Sequence, residues 1–321
     1  MDERQNILIQ EFMNSHSTRF SFAILVATRN RPDALGSLLD SIHELVLPPE
    51  ALVIVSSGMD VTHIIEKHHK LSIKHKHILE RGQIRQKMLG ISMIPKKVDW
   101  VLFLDDDLVL EPTATLNLFS FLSSNEDASS AIGLGLSDAS KNNTKWSRIS
   151  AKFKAGKVSK SGKNFDYMPS RVPIQTSWLN GASMWRRDHV DNYFFEYLDS
   201  PYSICEDLIF SYSRSKCGNL YFIPEAKFSF QSHVKPAVND VEIFRARAYW
   251  KYYFVSINPD LSVFLFLINQ LVATFAFVIR GNVKPQMILH KLKFSLLILL
   301  DLIISYLKSR NPIELMKLRK V

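Results

Sequence analysis

Three adjacent carboxylates, Asp105, Asp106 and Asp107, end a run that is otherwise wholly apolar, WVLFL at 100–104. Neighbouring carboxylates repel one another and resist ionising together unless a cation is present. On an extended chain the side chains at i and i+2 project to the same side, so Asp105 and Asp107 present two hard oxygen donors together. Such a pair suits Mg2+ or Mn2+, and Mg2+ usually completes its shell with substrate phosphates and water. A solvated acidic turn would use the same residues. A second acidic pair, Glu206-Asp207, opens a stretch with helical periodicity. The helix dipole favours carboxylates there, so capping accounts for them equally well. The catalytic reading makes Asp207 a general base aimed into the same cleft from the second half of the chain. His233 follows KFSFQSH, and it fits either a hydrogen-bonded structural histidine or a metal ligand beside the acidic triplet. The histidines at 63, 68, 69, 75 and 77 lack the regular spacing of a zinc site and read as surface residues.

These residues need a scaffold that brings them together. Residues 20–27 (FSFAILVA), 51–55 (ALVIV) and 100–104 are nearly continuous apolar runs, the pattern of strands buried on both faces. Residues 73–79 alternate apolar and cationic positions, which suits a strand near a sheet edge. Helical patterns separate these runs at 33–45, 60–69 and 82–94, and Pro112 suits the first turn of another helix reaching 122. Alternation of strand and helix predicts an α/β fold with a largely parallel sheet covered on both sides. Ligands then bind at the carboxyl ends of the strands. TRNRP (28–32) and the acidic triplet both lie at such ends, about 75 residues apart. The second half reads as a strand at 131–136, a hairpin within GKVSKSGKN, and two short strands flanking Asn180-Gly181. A helix at 206–216, short strands at 220–223 and 227–231, and an aromatic-rich helix at 241–254 follow.

Taken in order, TRNRP, FLDDD, WLNGASMWRRD, CEDLIFSYSRSKCG and FSFQSH resemble a family 2 glycosyltransferase with the GT-A fold, over roughly residues 20–255. Within that family the chain is similar to bacterial rhamnosyl-, galactosyl- and glucosyl-type transferases of envelope glycan synthesis. The resemblance implies an inverting transfer from a nucleoside-diphosphate sugar, with Asp207 as base. It implies a divalent cation, Mg2+ or Mn2+, on Asp105, Asp107 and His233. It places the nucleotide against Thr28, Arg29, Asn30, Arg31, Ser57, Asp105 and Asp106, with Arg81, Arg85 and Lys87 as phosphate contacts. It places donor sugar and acceptor near Trp178, Asn180, Gly181 and Glu206. Two departures stand out. The second strand runs into Ser56-Ser57-Gly58, with Asp60 slightly later, where the family usually has an aspartate. Lys87-Met88 stands where an Arg-Asn pair usually precedes Gly-Ile.

The chain has 321 residues, 46% of them apolar, which is enough for a full core. Two cysteines exclude a disulfide scaffold and a cysteine-rich zinc module. The net charge of +9 is uneven. Residues 141–164 hold seven Lys and one Arg with no acid, and 280–321 hold nine Lys and Arg against two acids, so the remainder is acidic. No helix-turn-helix or RNA-binding signature accompanies the basic segments, so nucleic acid is not an expected partner. Instead, two apolar stretches, 261–279 and 294–307, neighbour the basic tail, a pairing that suits an anionic membrane surface. The first has Asn269, Gln270 and Thr274 near its middle and the second contains Asp301, so an interfacial hairpin is favoured over spanning helices or a dimerising pair. The expected organisation is a catalytic domain over 1–258, with a nucleotide half at 20–137 and an acceptor half at 138–258. A membrane-associating extension over 259–321 completes it. The charged N-terminus lacks a signal-peptide pattern, so the cytoplasmic face of a membrane is the expected location, with a glycan or polyprenyl-linked acceptor. A non-catalytic sugar-nucleotide-binding relative is the alternative. It would not need Asp207.

Overall fold

A computed structural model describes residues 21–124, 130–139, 155–167, 170–191, 203–231, 240–279 and 285–319. His233 and the basic residues 141–154 lie outside them.

The first half alternates as expected: β1 (Phe22–Arg29), α1 (Pro32–His43), β2 (Ala51–Ser57), α2 (Thr62–Lys67), β3 (Ile73–Ile78), α3 (Gln83–Met93) and β4 (Trp100–Asp105). The strands pair in parallel in the order β3-β2-β1-β4. The chain moves outward from β1 through β2 to β3, and α3 then returns it to the other side of β1. The direction of winding therefore reverses between β1 and β4, which opens a crevice at their carboxyl ends. Both faces are covered. Ala23, Leu25, Val53, Val55, Val101 and Phe103 pack toward α3, while Phe22, Ile24, Val26, Leu52, Ile54, Leu102 and Leu104 pack toward α1. That double burial is why these strands lack a polar alternate position. Edge strand β3 does alternate, and its lysines Lys74 and Lys76 are exposed.

The second half joins the same sheet through β5 (Leu108–Leu110), α4 (Ala114–Ser124), β6 (Ala131–Asp138), β7 (Ile174–Thr176), β8 (Ser183–Arg186), α5 (Glu206–Arg214) and β9 (Asn219–Phe230). β8 is antiparallel to both β4 and β6, and β6 runs parallel to β9. Two short strands were expected where β9 is one. The pairing jumps from Leu136–Ile223 to Ser137–Lys227, so residues 224–226 bulge out of register at Pro224, which has no N–H to donate. Arg31 takes the N-cap position of α1 and Pro32 sets its first turn. β5 was not expected at all. It lies directly after the acidic triplet and is antiparallel to the end of β9.

Helices α6 (Asp240–Ile257), α7 (Val263–Ile279), α8 (Pro285–Leu307) and α9 (Pro312–Arg319) complete the described chain. α6 is buried by its aromatic residues, including Tyr249, Trp250, Tyr253 and Phe254. α7 and α8 are built differently. The residues α7 buries are Phe266, Gln270, Thr274 and Val278, while Phe264, Ile268, Val272 and Phe275 are exposed. α8 likewise buries Ser295 and Ser305 completely and exposes Leu296, Leu297 and Leu300. Asp301 points inward, where it accepts a hydrogen bond from the Tyr249 hydroxyl (2.5 Å). Among the described residues no helix is long and apolar enough to cross a membrane.

The two halves are tied by one buried ion pair. Lys87 of α3 and Glu206 of α5 meet at 2.9 Å with their side chains only 1% and 7% exposed. The Lys87 ammonium also lies 5.8 Å from the centre of the Phe103 ring. Breaking such a pair from one side strands a buried charge and costs about 3–5 kcal/mol, whereas replacing both partners by apolar residues is often neutral. Lys87→Met should therefore lower the urea-unfolding stability by roughly that amount. Adding Glu206→Met should recover most of the loss. A double variant no more stable than the single one would show that the pair is not what Lys87 contributes.

Candidate active site

The crevice between β1 and β4 gathers most of the predicted residues. The side chain of Asp106 turns away from solvent. It accepts hydrogen bonds from the Thr28 hydroxyl (2.7 Å) and from Arg31 Nη1 (2.9 Å). Burial pushes its carboxyl above the ordinary range, while Thr28 and Arg31 hold it down. The same Arg31 nitrogen reaches Asp107 Oδ2 at 3.3 Å. Thr28, Arg31 and Asp106 therefore lock the β1 turn to the acidic triplet. Asp105 and Asp107 remain on the cleft side, with Gln83 donating to Asp105 Oδ1 at 3.1 Å. Asp107 is held above its ordinary range by burial and by the charges of Asp105 and Asp106. A second strut comes from β9, where Gln231 N–H donates to Asp107 O (2.9 Å) and the Gln231 amide donates to Ala34 O (3.0 Å).

The rest of the nucleotide set divides by geometry. Asn30, in the left-handed region at φ +56, accepts from Met59 N–H (2.9 Å) and so clips the β1 turn to the turn after β2. Gly58 must be glycine there, since its φ is +80 and a Cβ would lie 2.1 Å from Asn30 Oδ1. Arg29 is held below its ordinary range by burial and by the nearby charge of Arg81, so two cations face one region. Arg85 is turned to Glu80 at 3.7 Å. Lys87, expected at a phosphate, is instead fully buried on Glu206. Three predicted residues carry buried polar atoms with no hydrogen-bond partner among the described residues: Arg29 Nε, Ser57 Oγ and Asn180 Oδ1. Buried polar groups are normally satisfied, so these are the atoms a polar ligand would complete.

The residue expected as base, Asp207, enters from α5. Cys205 precedes the helix in the left-handed region at φ +74, a strained turn for a residue with a side chain. That turn sends Glu206 to Lys87 and leaves Asp207 at the cleft. Part of Asp207 reaches the surface, but protein encloses its carboxyl group. Burial, and then the charge of Glu206, pushes the pKa up to about 7, against the Leu208 amide and Lys87, which lower it. The Cys205 thiol is pushed up to about 11 by burial, which leaves it protonated and unreactive. Glu206, expected on the acceptor side, has Oε1 on Lys87 instead.

The acceptor-side loop lies between β7 and β8. Trp178 is 9% exposed and its indole N–H donates to Phe165 O at 2.9 Å, so it braces the loop from behind. Asn180 N–H donates to the Tyr167 hydroxyl (3.2 Å), and Tyr167 packs on Trp178 with ring centres 5.0 Å apart. Gly181 faces the acidic strand end, where a Cβ would sit 2.8 Å from Asp105 Oδ2. A side chain there would intrude on the carboxylate, so glycine keeps that oxygen open.

Sequence reasoning missed Gln83, Gln86 and Tyr167. Gln86 donates to Thr28 O (2.8 Å) and Val55 O (2.9 Å), pinning the ends of β1 and β2. The signal was present, because Gln83, Gln86 and Lys87 stand at i, i+3 and i+4 and so share one face of the helix that enters the crevice. His75 and His77, read as surface residues, share the buried Ser56 hydroxyl at 2.8 and 3.1 Å. They brace β3 against β2. Among the described residues no group of three or more His, Cys, Asp or Glu is arranged to hold a metal. A cation here would rest on Asp105 and Asp107, and the raised pKa of Asp107 and the space kept by Gly181 fit that use.

The fold matches solved glycosyltransferase structures. A fragment of TarS from S. aureus, residues 1–349, superposes with a TM-score of 0.54 at 16% identity, covering 85% of this chain and 78% of that one. The same fragment in complex with UDP gives 0.52 at 14% identity, covering 90% and 92%. The mannosyltransferase PcManGT from Pyrobaculum calidifontis, in complex with GDP-Man and Mn2+, gives 0.57 at 12% identity, covering 92% and 89%. No curated protein matches the chain by sequence. Residues 23–183, from β1 to the start of β8, match the sequence profile of glycosyl transferase family 2. With half of its length matched and a GT-A-type sheet carrying strand-end carboxylates at the crevice, this chain belongs to glycosyl transferase family 2.

Proposed function

We propose that the protein is an inverting, cation-dependent glycosyltransferase, moving a sugar from a nucleoside diphosphate to a hydroxyl of a glycan or lipid-linked acceptor. The observation that carries this reading is the placement of Asp207, a carboxylate tuned toward neutral pKa, in the crevice where Asp105 and Asp107 end β4. A sugar-nucleotide-binding relative without activity would have no use for such a base. The complexes of the structural neighbours with UDP, or with GDP-Man and Mn2+, support the donor class and the use of a divalent ion. The unsatisfied Arg29 Nε and Ser57 Oγ support nucleotide contact at the ends of β1 and β2.

Asp207 takes the proton of the acceptor hydroxyl as its oxygen attacks the anomeric carbon. The bond from that carbon to the diphosphate oxygen breaks, and its electron pair leaves with the nucleoside diphosphate. A single displacement inverts the anomeric configuration. A divalent cation on Asp105 and Asp107 would stabilise negative charge on the departing diphosphate. Lys87 and Glu206 keep Asp207 in place, and the cations of Arg29 and Arg81 favour an anionic donor. Asn180 and Gly181 border the region of the transferred sugar.

We also propose that α7 and α8 lie on a membrane surface. In water, helices bury apolar residues and expose polar ones. These two turn Gln270, Thr274, Ser295 and Ser305 inward beside Phe266, Val278, Ile298, Leu299 and Leu302, and leave a second set of leucine, isoleucine, valine and phenylalanine outward. Exposed Lys293, Lys308 and Arg310 lie on or just after α8, the charge pattern of a helix pair resting on anionic lipid.

Donor cleavage should require Asp207 ionised, so kcat rises with pH through the region near 7 and then levels. Asp207→Asn should lose about 10²–10⁴ of the rate. The sign on stability is opposite. A carboxyl whose folded pKa lies above its unfolded value binds more protons when folded, so its contribution to stability falls as pH rises from about 4 to about 7. Asp207→Asn should therefore melt higher than the parent at pH above 7 and show little gain at pH below 4. Unchanged turnover in that variant would remove Asp207 from the reaction. For the membrane face, the protein should float with anionic vesicles, and Val272→Glu with Phe275→Glu should abolish flotation. Equal flotation would refute that face.

A further inference from the structure

A continuous set of contacts runs from the lipid-side helices to the acceptor-side loop. Residues 156–164 form a tight hairpin, closed by a bridge between Val158 and Asn164 and turned at Gly162, whose φ is +74. Its tip is fastened to α7 and the turn before it. Ser262 N–H donates to Lys160 O at 2.7 Å, and the Asn269 amide donates to the Ser161 hydroxyl. Its return strand is fastened to α6, where the half-buried Lys251 donates to Gly162 O (3.0 Å) and Asn164 Oδ1 (2.8 Å). The fit there is close, since a Cβ on Gly162 would lie 2.4 Å from Val255. Its base is fastened to the loop of the site. Gly156 O accepts from Ser177 N–H and from the Thr176 hydroxyl, both at 2.7 Å, and the Trp178 indole donates to Phe165 O.

The hairpin thus touches α7 at one end and the loop leading to Asn180 and Gly181 at the other, with no element between. Its lysines Lys157, Lys160 and Lys163 are exposed. Lys160 is next to the Ser161 that holds Asn269 and its carbonyl accepts from Ser262, so its backbone lies against the start of α7. Cations flanking an exposed apolar helix match the two layers of an anionic bilayer surface, headgroup and acyl chain. The Lys251 ammonium gives the hairpin a discrete seat, because it spends two of its donors on Gly162 O and Asn164 Oδ1.

We propose that the 156–164 hairpin is the headgroup contact of this protein and couples docking of α7 on anionic lipid to the order of the 176–181 loop, so that the acceptor side of the site is positioned on the bilayer. This rests on the membrane reading of α7 and α8. Asn269, Ser161 and Lys251 act as positioning residues, since they touch the hairpin and not the reacting atoms.

The test uses the full chain mixed with vesicles of phosphatidylglycerol and phosphatidylcholine in equal parts, and with phosphatidylcholine vesicles alone. Flotation and amide hydrogen exchange are read on the same samples. The expected result is flotation on the anionic vesicles with severalfold slower exchange over 263–279, over 156–167 and over 174–181. Asn269→Leu keeps the apolar face, so it should still float and still protect 263–279, but leave 174–181 unchanged. Lys251→Met should behave in the same way. Protection of 263–279 in the parent without any change at 156–181 would overturn the coupling and leave membrane docking standing. So would a full response at 174–181 in Asn269→Leu. An equal hairpin response on phosphatidylcholine alone would overturn the headgroup contact, and absence of flotation would overturn docking and coupling together.

Discussion

The arrangement of the site depends on a charge pair that the interior would not tolerate in halves. Lys87 comes from the helix that returns the chain across the parallel sheet, and Glu206 comes from the helix that brings in the base. Each is buried, and each is acceptable there because the other is present. Around that joint the same helix face holds the strand ends, with Gln83 on Asp105 and Gln86 on the carbonyls of Thr28 and Val55. One face of α3 therefore positions Asp105, the turns after β1 and β2 and, through Glu206, the proposed base Asp207. Displacing α3 would move all three together.

The joint also explains how adjacent carboxyls come to play different roles. Glu206 is paired and buried, so it is structural. Asp207 follows a strained Cys205 that turns it away from Lys87, and it keeps an enclosed carboxyl beside the charge of Glu206. The acidic triplet divides in the same way. Asp106 is tied to Thr28 and Arg31 and holds the turn, while Asp105 and Asp107 face the cleft. In both places the neighbour of a reactive carboxylate is the one that fixes it. Glycine completes the division at Gly181, where any side chain would close on Asp105.

The sequence made the parallel half legible because its physics is local. Strands buried on both faces must be apolar throughout, and 22–26, 51–55 and 100–104 are so in both the chain and the structure. The acidic triplet was legible only through its order with the other motifs, since a DDD alone also suits an acidic turn and Asp106 does hold one. What was not legible needed tertiary partners. Lys87 reads as a phosphate contact until Glu206, 119 positions away, is seen to hold it. Asn30 reads as a ligand residue until Met59 is seen to use its oxygen. His75 and His77 looked incidental because Ser56 lies on another strand. The helices α7 and α8 were readable as apolar, but only the structure shows that Gln270, Thr274, Ser295 and Ser305 turn inward while a row of large apolar residues faces out.

In the proposed function, Asp105 at the end of β4 and Asp107 just after it hold a cation against the diphosphate of a sugar nucleotide. Calorimetric titration of UDP-, GDP- and dTDP-sugars into the protein, with Mn2+ and with chelator, measures this directly. The expected result is binding of one nucleotide class that strengthens sharply with Mn2+, and loss of that Mn2+ dependence in both Asp105→Asn and Asp107→Asn. Equal binding with chelator, or Mn2+ dependence that survives both substitutions, would contradict it.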